Sequence, residues 1–298
     1  MKVIVTGASG VLGTAVYDAF KAAGHTVLGL ARSRPTAELQ SLDLLDVDAT
    51  TKAFQEFKPD WVVHCAAERR PDVADKDPEG AQKLNGDLPG LLAQLAKSMK
   101  FKLVYISTDY VFDGTSPPYS PSSQTNPVNL YGRTKLAGET AALAVDGADV
   151  LVLRVPVLYG PAPKNSDTAV NILLDVVQDQ SGKQYKMDHY ATRYPTNVLD
   201  IAAFLVKLAG RDVSVPPIVH FSSAEPYTKY EMCLVFAKVL GVPFAHIIPD
   251  AEAPKGEAAV SRPRDCRLDT SATERLLDGD LGCAIFDEWW AERLKRET

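Results

Sequence analysis

The chain of 298 residues has few of the marks that identify several protein classes. Its four cysteines, Cys65, Cys233, Cys266 and Cys283, lie far apart and form no C-x-x-C pair. A disulfide framework or a cysteine-based zinc site is therefore not expected, and the chain suits a reducing, cytoplasmic setting. No N-x-S/T sequon occurs, and the five histidines show no ligand spacing, so no metal is expected. No apolar run approaches the roughly 18 residues of a membrane span. There is no basic block either. Lys plus Arg number 32 against 38 Asp plus Glu, giving a net charge of −6. That balance excludes an electrostatic footprint for nucleic acid. The opening MKVIVTGASG reads as a strand and a turn, not as a secretory leader.

What is present is an ordinary globular composition, 46% hydrophobic and 23% charged, enough for one or two domains with a large core. The first half alternates strand and helix patterns. Strands are expected at Lys2–Thr6, Thr26–Ala31, Trp61–Cys65, Lys102–Ser107 and Asp149–Val155. Helices are expected from Val11 to Ala23, Glu79 to Lys97 and Leu130 to Val145. Such alternation implies parallel pairing with right-handed crossovers, hence a Rossmann-type, doubly wound α/β sheet. After Pro156 the pattern loosens. Tyr159–Ser166 and Ala251–Pro263 read as loops. Asn197–Ala209, Tyr230–Leu240 and Phe286–Lys295 read as helices, and Ile218–Ser222 as a strand. The division expected is residues 1–155 as a dinucleotide-binding domain to which 196–221 returns. Residues 156–195 and 222–298 then form a smaller C-terminal substrate lobe.

Gly7, Ser9, Gly10, Val11, Leu12 and Gly13 form a glycine-rich turn between the first strand and the first helix. Glycines there allow a tight turn and a close approach of a pyrophosphate, which meets the free N–H groups and positive dipole end of the helix. An acidic residue at the end of the second strand would favour NAD. This chain has Arg32 and Arg34 instead, and two guanidiniums suit a 2′-phosphate, so NADP(H) is the cofactor expected. Asp43 and Leu44, read as the end of the next strand, are candidates to flank the adenine. Small residues at Cys65, Ala66 and Ala67 leave room for the cofactor backbone.

Tyr131 and Lys135 fall four apart at the start of a helix, on one face. A nearby ammonium favours phenolate, so Lys135 is expected to lower the pKa of Tyr131 and also to hold the nicotinamide ribose. Tyr131 can then exchange a proton with a carbonyl or alcohol oxygen as hydride moves. Thr108, at the end of a strand, is the candidate to orient that oxygen, ahead of Ser107. Arg154 and Pro156 are read as lining the nicotinamide side, with a buried arginine paired to a carboxylate as the alternative for Arg154. Arg69 and Arg70 follow the fourth strand and suit a phosphate, or else pair with Glu68 or Asp72. Asn85 lies in mid-helix as a support for the site or simply exposed. Arg262 and Arg264 in the second lobe are further cationic candidates.

Together these residues resemble the extended short-chain dehydrogenase/reductases over nearly the whole chain. STDYVFDG at 107–114, NLYGRTKLAGE at 129–139 and SRPRDCRLD at 261–269 resemble the dTDP-4-dehydrorhamnose reductase group. VVHCAAERRPDV at 62–73, the segments Met187–His189 and Arg193–Thr196, and Thr228–Met232 are similar to the regulatory β subunits of methionine adenosyltransferase. The first resemblance implies NADPH-dependent reduction of a 4-keto group on a nucleotide-linked deoxysugar by Thr108, Tyr131 and Lys135. The second implies the same fold and NADP site in a partner of the catalytic α subunit that makes S-adenosylmethionine. A third reading is an extended-fold enzyme with another carbonyl substrate. Asp188 and His189 are substrate-side candidates by resemblance. Two departures from the β-subunit pattern are visible. Thr108 stands where those subunits carry serine, and Trp289–Thr298 is shorter and more charged than the tail they insert at the α-subunit interface.

Overall fold

A computed structural model describes residues 1–254 and 262–295. Eleven strands are assigned among these residues: β1 (Lys2–Thr6), β2 (Thr26–Ala31), β3 (Leu39–Ser41), β4 (Trp61–His64), β5 (Lys102–Thr108), β6 (Asp149–Val155), β7 (Leu158–Tyr159), β8 (Tyr185–Asp188), β9 (Thr196–Asn197), β10 (Ile218–His220) and β11 (Ile247–Asp250). Seven of them make one parallel sheet in the order β10-β6-β5-β4-β1-β2-β3. Strands β1, β4 and β5 are near-continuous runs of buried apolar residues, as a parallel sheet covered on both faces requires. The helices Val11–Ala22 and Val198–Ala209 cover one face, burying Leu12, Val16, Phe20, Ile201 and Leu205 against Val5, Val104 and Leu153. On the other face Phe54, Leu92, Ala96 and Ala142 close over Ile4, Val62 and Leu103. Strand order reverses between β1 and β4, where the carboxyl ends of the strands leave a crevice for a ligand.

Beyond β6 two short parallel pairs appear, β7 with β9 and β8 with β11. A separate apolar cluster around Tyr159, Phe236, Phe286 and Trp290 holds this region together, with the Tyr159 and Phe286 rings 5.0 Å apart. Strand β10 nevertheless extends the main sheet beside β6, and the helix before it packs on the first helix of the chain.

The helix expected from Glu79 to Lys97 is broken in one place. It consists of Pro78–Ala81, a π-helical turn Gln82–Asp87, and Leu88–Met99. Pro89 explains the break. It has no N–H to give the carbonyl four residues back, which is that of Asn85. The Tyr105 hydroxyl donates to that carbonyl instead, at 3.0 Å. The helices Val47–Phe57, Ile172–Gln178 and Ser271–Leu277 are additions to the expected set. Residues 255–261 of the expected loop and 296–298 of the C-terminal segment lie outside the described residues. Among the described residues no helix is long and apolar enough to cross a membrane.

Candidate functional site

The glycine-rich turn and the carboxyl ends of β1, β2, β4, β5 and β6 surround a cleft of about 580 Å3, within the usual range of ligand pockets. Gly7 has φ +65°, and a Cβ there would lie 2.8 Å from the Ala66 backbone. A Cβ at Gly13 would collide with the carbonyl of Gly7. The chain is therefore drawn in until no side chain separates the turn from β4. Gly10 precedes the Val11–Ala22 helix and supplies no side-chain cap, and no acidic residue occupies its first turn. The first N–H groups of that helix are left to a ligand, and the positive end of the dipole stays uncompensated. Ser9 Oγ donates to the Ser33 carbonyl at 2.7 Å and ties this turn to the loop that carries Arg32 and Arg34. These features fit the pyrophosphate and adenosine of a dinucleotide.

Of the residues singled out in the sequence, the structure gathers Gly7, Ser9, Gly10, Val11, Leu12, Gly13, Arg32, Arg34, Asp43, Leu44, Cys65, Ala66, Ala67, Arg69, Arg70, Thr108, Tyr131, Lys135 and Pro156 around this one cleft. Ser107 lines it too, but its hydroxyl is engaged behind the cleft by Glu139 at 2.5 Å. The Thr108 hydroxyl donates to Asp109 Oδ1 at 3.1 Å and accepts from the Tyr110 N–H at 3.2 Å, and it lies near the Tyr131 phenol.

The electrostatics of the pair Tyr131 and Lys135 differ from expectation. Burial pushes the Tyr131 phenol above its ordinary value, and the cation acting foremost on it is Arg69. The Lys135 ammonium is turned to the sheet instead. It donates to the Ile106 carbonyl at 2.6 Å and lies 4.0 Å from the centre of the Tyr105 ring. Burial lowers its pKa to about 7, against the opposing pull of Glu139. Tyr131 is thus a neutral proton donor at pH 7, not a phenolate. Asp109, missed in the sequence although it directly follows Thr108, is buried, and desolvation raises its carboxyl to about 7 despite the nearby Arg193.

Six candidates are placed outside the cleft lining. Arg154 is 2% exposed and makes a double hydrogen bond to Glu139, Nε to Oε1 at 2.9 Å and Nη2 to Oε2 at 2.7 Å. It is the buried ion pair, not a wall of the nicotinamide pocket. Asn85 is 1% exposed and stands behind the site, where Oδ1 accepts from the Glu68 N–H and Nδ2 donates to the Glu68 carbonyl, both at 2.9 Å. It fixes the loop that presents Arg69. Asp188 caps a turn by accepting from the N–H groups of Tyr190 and Ala191. His189 Nδ1 pairs with Thr228 Oγ1 at 2.9 Å. Arg262 is exposed and acts electrostatically on Lys229 and Tyr110. Arg264, a further candidate, stacks at 4.9 Å from the Tyr190 ring. Arg70, although it lines the cleft, pairs with Glu68 at 3.2 Å. Among the described residues no cluster of three or more His, Cys, Asp or Glu could hold a metal ion.

Fold and cleft together define a Rossmann-type protein built on the reductase plan, with a dinucleotide cradle beside a Thr-Tyr-Lys set. The chain belongs to the family of the RmlD substrate binding domain, whose model matches residues 1–286. It is 45% identical to the methionine adenosyltransferase 2 subunit beta of Xenopus tropicalis, over 92% of this chain and 82% of that one. It is 31% identical to a probable low-salt glycan biosynthesis reductase, Agl14, of Haloferax volcanii, over 95% of this chain and 93% of that one. Among solved structures, dTDP-4-dehydrorhamnose reductase from Bacillus anthracis in complex with NADP aligns with a TM-score of 0.84 at 25% identity, covering 100% of this chain and 99% of that one.

Proposed function

We propose that the cleft holds NADP(H) and that the chain serves, loaded with it, as a regulatory β-type subunit of methionine adenosyltransferase. The observation that carries this reading is the 45% identity to such a subunit across 92% of the chain. The partner is the catalytic α subunit that makes S-adenosylmethionine, and a cytoplasmic location goes with that role. Arg32 and Arg34 hold the 2′-phosphate, the turn from Gly7 to Gly13 holds the pyrophosphate, and Lys135 with Pro156 borders the nicotinamide ribose. Mixing the purified chain with an α subunit at micromolar concentration tests the reading. Co-elution on size exclusion and an altered rate of S-adenosylmethionine synthesis are expected. Separate elution with an unchanged rate overturns it.

A second reading has its own support in the placement of Thr108 and Tyr131. NADPH supplies a hydride to a carbonyl. The buried, protonated Tyr131 phenol gives its proton to the carbonyl oxygen, and the Thr108 hydroxyl orients that oxygen. The substrate class is a nucleotide-linked 4-keto-6-deoxysugar or another small carbonyl compound. NADPH oxidation that depends on such a sugar and disappears in Tyr131→Phe is the outcome this reading requires. Oxidation at the parent rate in that variant rules out the assignment.

A further inference from the structure

Arg34, assigned above to the 2′-phosphate, already has an anionic partner. Its Nη1 lies 3.0 Å from Asp167 Oδ2, so the loop after β2 is joined across the cleft to the region beyond β7. The pair is uneven. The Arg34 side chain is 52% exposed, whereas that of Asp167 is only 15% exposed. Arg34 has φ +58°, a backbone conformation uncommon for a residue with a side chain. Asp167 stands on a firm base. It ends the short 3-10 turn Asn165–Asp167, and the next residue, Thr168, is buried. The Thr168 hydroxyl donates to Asn171 Oδ1 at 2.8 Å and accepts from the Asn171 N–H at 2.7 Å, and Asn171 Nδ2 donates to the Gly160 carbonyl at 2.9 Å. A second cation, Arg69 of the loop after β4, lines the same cleft and feels the charge of Asp167. Asp167 therefore lines the cofactor cleft with a carboxylate that is paired to Arg34 from the opposite wall.

We propose that Asp167 is a determinant of cofactor selectivity, a resident stand-in for the 2′-phosphate that must give up Arg34 before NADP(H) binds fully. The inference rests on the reading that Arg34 contacts the 2′-phosphate. A dianionic phosphate and a carboxylate cannot share one guanidinium without repulsion, so Arg34 exchanges partners when NADP(H) enters. NAD(H) carries no such group, and the Arg34–Asp167 clasp stays closed over it. The acidic residue thus acts against NADP(H) while leaving NAD(H) nearly untouched, and it restrains the selectivity that Arg32 and Arg34 create. Opening the clasp also frees the segment of Asp167 from the loop after β2, so the second lobe is tethered differently with the two cofactors.

Asp167→Asn removes the competing charge and keeps the shape. Isothermal titration of the full chain with NADPH and with NADH, at low ionic strength, reads the effect. NADPH affinity should rise about three- to fivefold, the range expected for releasing a partly exposed ion pair. NADH affinity should change by less than about twofold. In an Arg34→Met background the same substitution should no longer change NADPH affinity. Asp167→Ala serves as a second variant if the asparagine form folds poorly. An unchanged or weaker NADPH affinity in Asp167→Asn overturns the proposal. So does a gain that persists without Arg34, because the carboxylate then acts on the phosphate or through Arg69. If the parent chain binds neither cofactor, the cofactor reading falls and this proposal with it. If the parent binds NADPH and only the Asp167 effect is missing, the cofactor reading stands and this proposal alone fails.

Discussion

The buried pair Arg154–Glu139 gives the sharpest test of how the site is built. Both side chains are 3% exposed, and Glu139 accepts two hydrogen bonds from the guanidinium and a third from Ser107. Arg154→Met keeps most of the volume but leaves the Glu139 carboxylate desolvated and facing one hydroxyl. Breaking a buried pair from one side costs about 3–5 kcal/mol, since the remaining charge has no compensation. In a chain of this size that corresponds to a fall in melting temperature on the order of 10 °C. Adding Glu139→Gln removes the stranded charge and should restore more than half of the loss. Because Arg154 does not line the cleft, the single variant should still bind NADPH within about twofold of the parent when assayed well below its melting temperature. Thermal unfolding and calorimetric titration of the parent, the two single variants and the double variant complete the cycle. A single variant that keeps its melting temperature but loses NADPH affinity tenfold would refute the structural role and return Arg154 to the cofactor.

Gly13→Ala places a methyl group against the Gly7 carbonyl. It should destabilise the chain by about 1–3 kcal/mol as an overpacked contact and abolish measurable NADPH binding, checked by urea unfolding and titration. Asn85→Ala strands the N–H and carbonyl of Glu68. A loss of about 1–3 kcal/mol is expected, with faster amide exchange at Glu68 and Arg69 by mass spectrometry. Lys135 gives a pH signature. Its folded pKa, about 7, lies below the unfolded value near 10.5, so the unfolded chain binds the extra proton between those limits. The burial penalty on the ammonium is fully present below pH 7 and is relieved as the pH rises toward 10. Parent stability relative to Lys135→Met should therefore increase from pH 7 to pH 9.5 in urea titrations, and a flat difference would contradict the burial argument.

The β1–turn–helix unit was legible because its signals are local: an apolar strand, glycines at fixed intervals, then a helical apolar stripe. Strand–helix alternation likewise announced the parallel sheet. The placement of Thr108, Tyr131 and the small residues after β4 followed from strand ends and helix starts. What local pattern did not reveal was which partner each charged group would take. Arg154 took Glu139 and Lys135 turned to the Ile106 carbonyl, because burial rewards the nearest available acceptor regardless of sequence spacing. The π-helical turn was partly readable, since Pro89 sits inside the helical pattern and must release the Asn85 carbonyl. Asp167 was not readable, because it lies in an aperiodic segment and meets Arg34 across 133 residues of chain. The short strands β7 and β9 were hidden for a similar reason: a two-residue pairing leaves no period in the sequence.

The central claim is that this cleft is an NADP(H) site selected by cations after β2, and its most direct test is the titration of the parent chain and Arg32→Ala with NADPH and NADH. The account predicts that the parent prefers NADPH by at least about tenfold, as expected for a charge-assisted phosphate contact. Arg32→Ala should then lose most of that preference while NADH affinity holds. Equal affinity for the two cofactors in the parent, or equal losses for both in Arg32→Ala, would contradict it.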